Sequence, residues 1–132
     1  MSFKAENSQR SPLARARGYG SANEGVHTFL AERISAVALI PLTLWFVFSA
    51  AQLQVLSYHD VRAWVQTPWV AVLLVLFIAS LLYHSSLGLK VVVEDYVARE
   101  GIKLAALLLV KFVHAVMAAA GIFAVLKIAL GS

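Results

Sequence analysis

The chain has no cysteine among its 132 residues. That absence excludes a disulfide framework, a thiolate metal site and a cysteine-ligated iron–sulfur cluster. Charge is scarce as well. Asp, Glu, Lys and Arg together make up 14% of the sequence, and residues 34–59 and 63–89 contain none of the four. There is no internal repeat, no low-complexity tract, and none of the alternating segments that mark a membrane strand. What abounds is apolar side chain: 61% of residues are hydrophobic and the mean hydropathy is +0.79. A water-soluble domain of this size has too little interior to hide that much apolar surface, so the bilayer is the natural solvent. The net charge of +4 raises nucleic acid as a partner. The basic residues, however, flank apolar runs and form no interleaved patch, so the reading is no nucleic acid.

Each charge-free stretch exceeds the ~20 residues needed to cross a hydrocarbon core. A third apolar run, Leu104 to Leu130, is broken only by Lys111, His114 and Lys127. Backbone groups in lipid must be satisfied internally, which favours helices. The sequence therefore predicts an all-α membrane protein with three transmembrane helices, at about 32–54, 67–93 and 102–129. Residues 1–25 are polar and read as a cytoplasmic arm, leaving 26–132 as the three-span domain. The small-residue stretch "FSAAQ" (48–52) mimics a signal-peptidase site, but the preceding polar region and apolar run are both too long for a signal peptide. Glu6 and Glu24 disfavour a mitochondrial transit peptide.

Orientation follows from the basic residues. Lys4, Arg10, Arg15, Arg17 and Arg33 precede the first span, and Lys90, Arg99 and Lys103 flank the second connection. The first connection carries only Arg62 and the C-terminal end only Lys127. The N-terminus is thus expected in the cytoplasm and the C-terminus in the periplasm of a bacterial inner membrane, a mitochondrial inner membrane being the second choice. Trp64 and Trp69 would then belong to the aromatic belt of the far interface.

His84 lies fifteen residues beyond Trp69, which is about 22 Å along a helix and well inside the membrane profile. An ionisable ring there faces the bundle interior and marks either an interhelical hydrogen bond or a cofactor. Ligation of haem iron is one reason to keep a neutral imidazole in lipid. The small residues Ser85, Ser86 and Gly88 follow at once and would let a flat macrocycle or another helix approach. His84, Gly88, Val91 and Asp95 fall near one helical face. Tyr96 emerges at the cytoplasmic interface, where a phenol and an acid could orient a quinone head group or could simply end a span.

These residues resemble a family. "YHSSLGLKVVVEDYV" (83–97) is similar to the second span of the hydrophobic membrane anchor (D) subunit of succinate dehydrogenase. That pattern has a haem-ligand His, a Gly four residues on, and an acid–Tyr pair: here His84, Gly88, Asp95 and Tyr96. "EGVHTFLAERISAVALIPL" (24–42) resembles the approach to the family's first span, through Gly25, His27, Arg33, Pro41 and Leu42. The resemblance covers about residues 18–100, and the third span matches in hydrophobicity only. It implies a three-helix anchor that forms a haem-binding bundle with a second, C-type cytochrome b anchor subunit. The iron–sulfur and flavoprotein subunits of complex II would dock on it, and electrons would pass from the iron–sulfur subunit to ubiquinone. His84 would be one axial ligand of haem b, and the larger anchor would supply the other. Arg33 is implied as a partner of a haem propionate, Tyr96 as a hydrogen-bond donor to ubiquinone, and Asp95 as support for that site. His27 would line the interface near either cofactor.

Lys111 and His114, one turn apart on the third span, match no element of that pattern. Lys111 could snorkel to the interface, and His114 is a rival haem ligand that lacks the downstream acid–Tyr context. Alone, such a chain is a non-catalytic subunit. The alternatives are an anchor of a fumarate reductase, a haem-free structural anchor, and a small transporter using His84 and Lys111. The last is disfavoured because none of the seven acids lies deep in a span.

Overall fold

The computed structural model describes residues 22–131. Among them are four helices: α1 (Ala22–Leu53), α2 (Tyr58–Gln66), α3 (Pro68–Tyr96) and α4 (Glu100–Ala129). The spans long and apolar enough to cross a membrane are Gly25–Leu53, Pro68–Tyr96 and Glu100–Ala129. They match the three expected runs and extend each by a few residues. Most of the polar arm assigned to 1–25 lies outside the described residues; its last four are helical.

The chain divides into a unit that ends at Ala31 and a unit from Glu32 to Ser132. The described part of the first is a helical segment, 22–31, on which Val26, His27, Phe29 and Leu30 are exposed. The second unit holds the remainder of α1 together with α2, α3 and α4. α1 runs on through Pro41. A proline there frees one carbonyl, a loss that membrane helices tolerate because neighbours can re-satisfy the group.

The short α2 breaks what the hydropathy pattern leaves as plain loop. Ser57 caps it. The Asp60 N–H donates to Ser57 Oγ at 3.3 Å, and the Ser57 N–H donates to Asp60 Oδ2 at 3.0 Å. This reciprocal box satisfies two otherwise orphaned donors. The Ser57 hydroxyl also donates to the Asp60 carboxylate, and these bonds hold that carboxyl below its usual range. Thr67 ends α2 and opens α3, with Pro68 in the first turn of the new helix. The fixed φ of proline is preorganised for that position, and its missing N–H costs nothing there.

Where α2 folds back, it meets α3 and α4 in a small core of Val65, Val70, Ala71, Leu74 and Val125. Aromatic contacts join α1 to it. Trp45 stacks on Trp64 with centroids 5.8 Å apart and meets Trp69 edge-on at 6.4 Å. Phe46 stacks on Phe77 at 4.8 Å. Trp64 therefore turns inward against Trp45, while Trp69 stays exposed. α3 and α4 make the most extensive close approach of any helix pair. Gly121 permits it: a Cβ there would stand 3.2 Å from Ile78 Cγ2. Elsewhere large apolar side chains such as Phe48, Phe112 and Phe123 point outward, as helices solvated by lipid require. α4 closes at Gly131, whose φ of 81° suits only glycine without strain.

Candidate functional site

His84 and His114 sit deep within α3 and α4, and their surroundings differ. On α1, "RISAV" turns Ser35 inward, and it is the buried polar residue of the described chain, 6% exposed. Its Oγ donates to the Glu32 carbonyl one turn earlier, at 3.0 Å. The same Oγ lies 2.9 Å from His84 Nδ1 on α3. A serine hydroxyl has one hydrogen and the Glu32 carbonyl can only accept. Both contacts are satisfied together when Ser35 donates to Glu32 and the His84 Nδ1–H donates to Ser35. In that arrangement Nε2 carries the lone pair.

His84 also lines a groove of about 400 Å³ with Ala36, Leu39, Ile40, Thr43 and Leu44 of α1. The groove is apolar apart from Thr43 and the ring itself. Arg33 stands on the same helical stripe as Ala36, Ile40 and Leu44, at spacings of three, seven and eleven residues, and is exposed at its end. One turn past His84, a Cβ on Gly88 would meet nothing within 4 Å. Gly88, Val91 and Asp95 are all exposed on that face.

His114 on α4 is fully engaged. Its Nδ1–H donates to the Val110 carbonyl at 2.8 Å, and its Nε2 accepts from the Ser85 hydroxyl at 3.1 Å. With no lone pair left open, it acts as a link between α3 and α4. Ser85 is consequently turned to α4 and away from the His84 groove, so of the three small residues after His84 only Gly88 shares its stripe.

Asp95 and Tyr96 end α3 and are both exposed, Tyr96 at 84%. One unbroken helix carries His84 and Tyr96, which puts them about 18 Å apart along its axis. The structure does not bring Asp95 or Tyr96 into the His84 groove; they stand at its membrane-surface end. His27 is exposed on α1.

The ring and groove fit a haem: an imidazole with one nitrogen held by a hydroxyl on another helix, beside an apolar wall with the small Ala36. A hydrogen bond on the outer N–H is the usual way a protein orients a ligating imidazole. No group of three or more His, Cys, Asp or Glu able to hold a metal ion occurs among the described residues. Sequence reasoning missed Ser35 and the Ser85–His114 link. A serine inside an apolar span is itself the signal, since a hydroxyl in lipid needs a partner.

Residues 7–120 match the family described as succinate dehydrogenase/fumarate reductase transmembrane subunit. The chain is 34% identical over 121 residues to the succinate dehydrogenase hydrophobic membrane anchor subunit of Paracoccus denitrificans, covering 92% of this chain and 93% of that one. It is 29% identical over 97 residues to the protein of the same name from Rickettsia conorii, covering 73% and 72%.

Proposed function

Because the chain belongs to the succinate dehydrogenase/fumarate reductase transmembrane subunit family, we propose that it is the haem- and quinone-binding hydrophobic anchor of a succinate:ubiquinone oxidoreductase. The membrane-anchor part of that statement follows from the named relatives and the three apolar spans. The haem part is carried by one observation: His84 Nδ1 lies 2.9 Å from the Ser35 hydroxyl while the ring lines an apolar groove, the setting of an imidazole oriented for ligation through Nε2. Haem b, when bound there, would supply a one-electron carrier between the iron–sulfur subunit and the quinone. His84 would hold the iron, and a C-type anchor subunit would supply a further ligand. Arg33, at the head of the groove stripe, gives a guanidinium to a propionate. The apolar wall excludes water from the ring. Tyr96 donates its phenol hydrogen to a ubiquinone carbonyl at the membrane surface, and Asp95 orders the polar groups around it. The flavoprotein and iron–sulfur subunits dock on that same surface. The relatives are named for succinate dehydrogenase, which favours succinate oxidation over fumarate reduction as the working direction.

The reading is tested by the visible spectrum of the assembly purified from its own membrane. A reduced-minus-oxidised b-type spectrum is expected, and its absence would leave a haem-free anchor. Ser35 offers a sharper test. Ser35→Ala removes the acceptor for the His84 N–H, so haem is expected to bind about tenfold less tightly, with a shifted midpoint potential. Ser35→Thr, which keeps the hydroxyl, should restore both. Haem retention and potential unchanged in Ser35→Ala would remove the serine from the site.

Orientation in the membrane is tested separately. Three crossings are odd in number, so a reporter fused after Ser132 should lie opposite the N-terminus, on the periplasmic side of a bacterial inner membrane. Both ends on one side would mean that one apolar helix does not cross.

A further inference from the structure

The face of α3 and α4 turned away from the His84 groove carries a second, different arrangement. Six residues separate His84 from Lys90, so the two point about 120° apart on α3. Lys90 and Lys111 both line a groove of about 420 Å³ between α3 and α4, together with Tyr83 and Ser86. Its remaining walls are apolar, Leu87, Leu104 and Leu108 among them. The groove continues into a second one of about 330 Å³, which shares Tyr83, Ser86 and Lys111 and is otherwise walled by Ala79, Leu82, Ala115, Ala118 and His114, whose ring nitrogens are taken by Val110 and Ser85.

We propose that this face is a binding site for an anionic phospholipid: the two ammonium groups and the Tyr83 and Ser86 hydroxyls hold its phosphate, and the alanine-lined groove takes an acyl chain.

Helix polarity makes the lysines converge. Side chains lean toward the N-terminus of their own helix. α3 and α4 run antiparallel across the 97–99 connection. Lys111 stands eleven residues inside α4, about 16 Å from its start, and leans back toward the connection. Lys90 stands six residues before the end of α3, about 9 Å, and leans inward. Both lysines border the same groove, near the end of the bundle that carries the connection. The cations are poorly neutralised by the chain itself. Lys90 is 3.9 Å from Glu94, a half-exposed pair at the limit of ion pairing and worth little. Lys111 has no acidic side chain within ion-pairing distance among the described residues. An unneutralised ammonium inside a span demands an anion. Basic pockets between membrane helices recognise lipid phosphates.

The continuity of the polar groove with an apolar one decides in favour of a lipid. A soluble anion would use the lysines alone, and a carboxylate from a neighbouring subunit would have no use for the channel along Ala79, Ala115 and Ala118. The site does not depend on the haem reading, because it shares no lining residue with the His84 groove.

Native mass spectrometry of the intact assembly in mild detergent tests the proposal, with phosphatidylglycerol and phosphatidylcholine of matched chains added in turn. Phosphatidylglycerol should be retained preferentially. A basic residue near an anionic headgroup contributes roughly fivefold in affinity, so Lys111→Gln should lower the preference about fivefold and Lys90→Gln/Lys111→Gln about thirtyfold. Lys90→Arg/Lys111→Arg should keep it. Three results would overturn the proposal: an undiminished preference in the glutamine double variant, equal retention of the two lipids by the unaltered protein, or competition by soluble glycerol phosphate as strong as by lipid. Loss of a neighbouring subunit from the glutamine variant at every lipid composition would also overturn it, because the lysines would then be holding protein.

Discussion

Replacing His84 with alanine is expected to abolish the b-type haem spectrum of the assembly while the chain still inserts. One histidine in a span of this length adds little to insertion energy, so the three crossings should persist. The large effect comes from the chemistry of the open nitrogen. Among the described histidines, His84 has Nδ1 against a hydroxyl of another helix and its ring on an apolar groove. No other side chain on that groove is an iron ligand, since its remaining walls are Ala36, Leu39, Ile40, Thr43 and Leu44. His114→Ala is the matched control. Its ring nitrogens are both taken, by Val110 and Ser85, so its loss should loosen α3 against α4 without removing the spectrum. Difference spectra and haem extraction from the two variants check this directly. A spectrum kept in His84→Ala and lost in His114→Ala would reverse the assignment.

Replacing Tyr96 with phenylalanine is expected to lower quinone reduction by roughly 10²-fold, the size typical of losing one hydrogen-bond donor that acts mainly in the transition state. The phenol sits at the last position of α3 and is 84% exposed, so removing its hydroxyl breaks no contact within the chain. Fold, spans and haem should therefore be untouched. A phenol donates one hydrogen bond to a carbonyl oxygen, and that bond strengthens as the oxygen gains negative charge on reduction. Succinate oxidation with a soluble acceptor should continue at its normal rate, because that chemistry belongs to other subunits. The contrast between the two assays is the diagnostic. Equal rates in both would make Tyr96 an aromatic-belt residue and remove the quinone role from "EDY".

The exposure of Asp95, Val91 and Gly88 along the His84 side of α3, and of Tyr96 a third of a turn round from them, has a common physical basis. A single anchor offers His84 one wall of a groove, formed by α1. A second subunit must supply the opposite wall for the same stripe to close around a cofactor. Asp95 stands at the end of that stripe and Tyr96 a third of a turn from it, so residues from a neighbouring chain would complete their site as well. This is why His84 appears here in a defined setting and the acid–tyrosine pair does not: the ring's partner, Ser35, is on the same chain.

The number, length and type of the spans were legible in the sequence because the bilayer makes them nearly local properties. Some twenty apolar residues without charge are enough to specify a crossing helix, whatever lies beside it. The motif around His84 likewise placed a ring and a tyrosine on one helix at a known rise. α2 was missed because nine residues of mixed polarity give no hydropathy signal, although "SYHD" (57–60) carries a capping box that could have announced it. What no local pattern could decide was the rotation of one helix against another. Ser35 meets His84 across 49 residues of sequence, and Ser85 meets His114 across 29. These pairings depend on how the Trp45–Trp64 and Phe46–Phe77 stacks seat α1, and on how Gly121 lets α4 approach Ile78. Tertiary packing thus chose which of two intramembrane histidines keeps a free lone pair, because a hydroxyl's single hydrogen can be assigned only once its neighbours are in place.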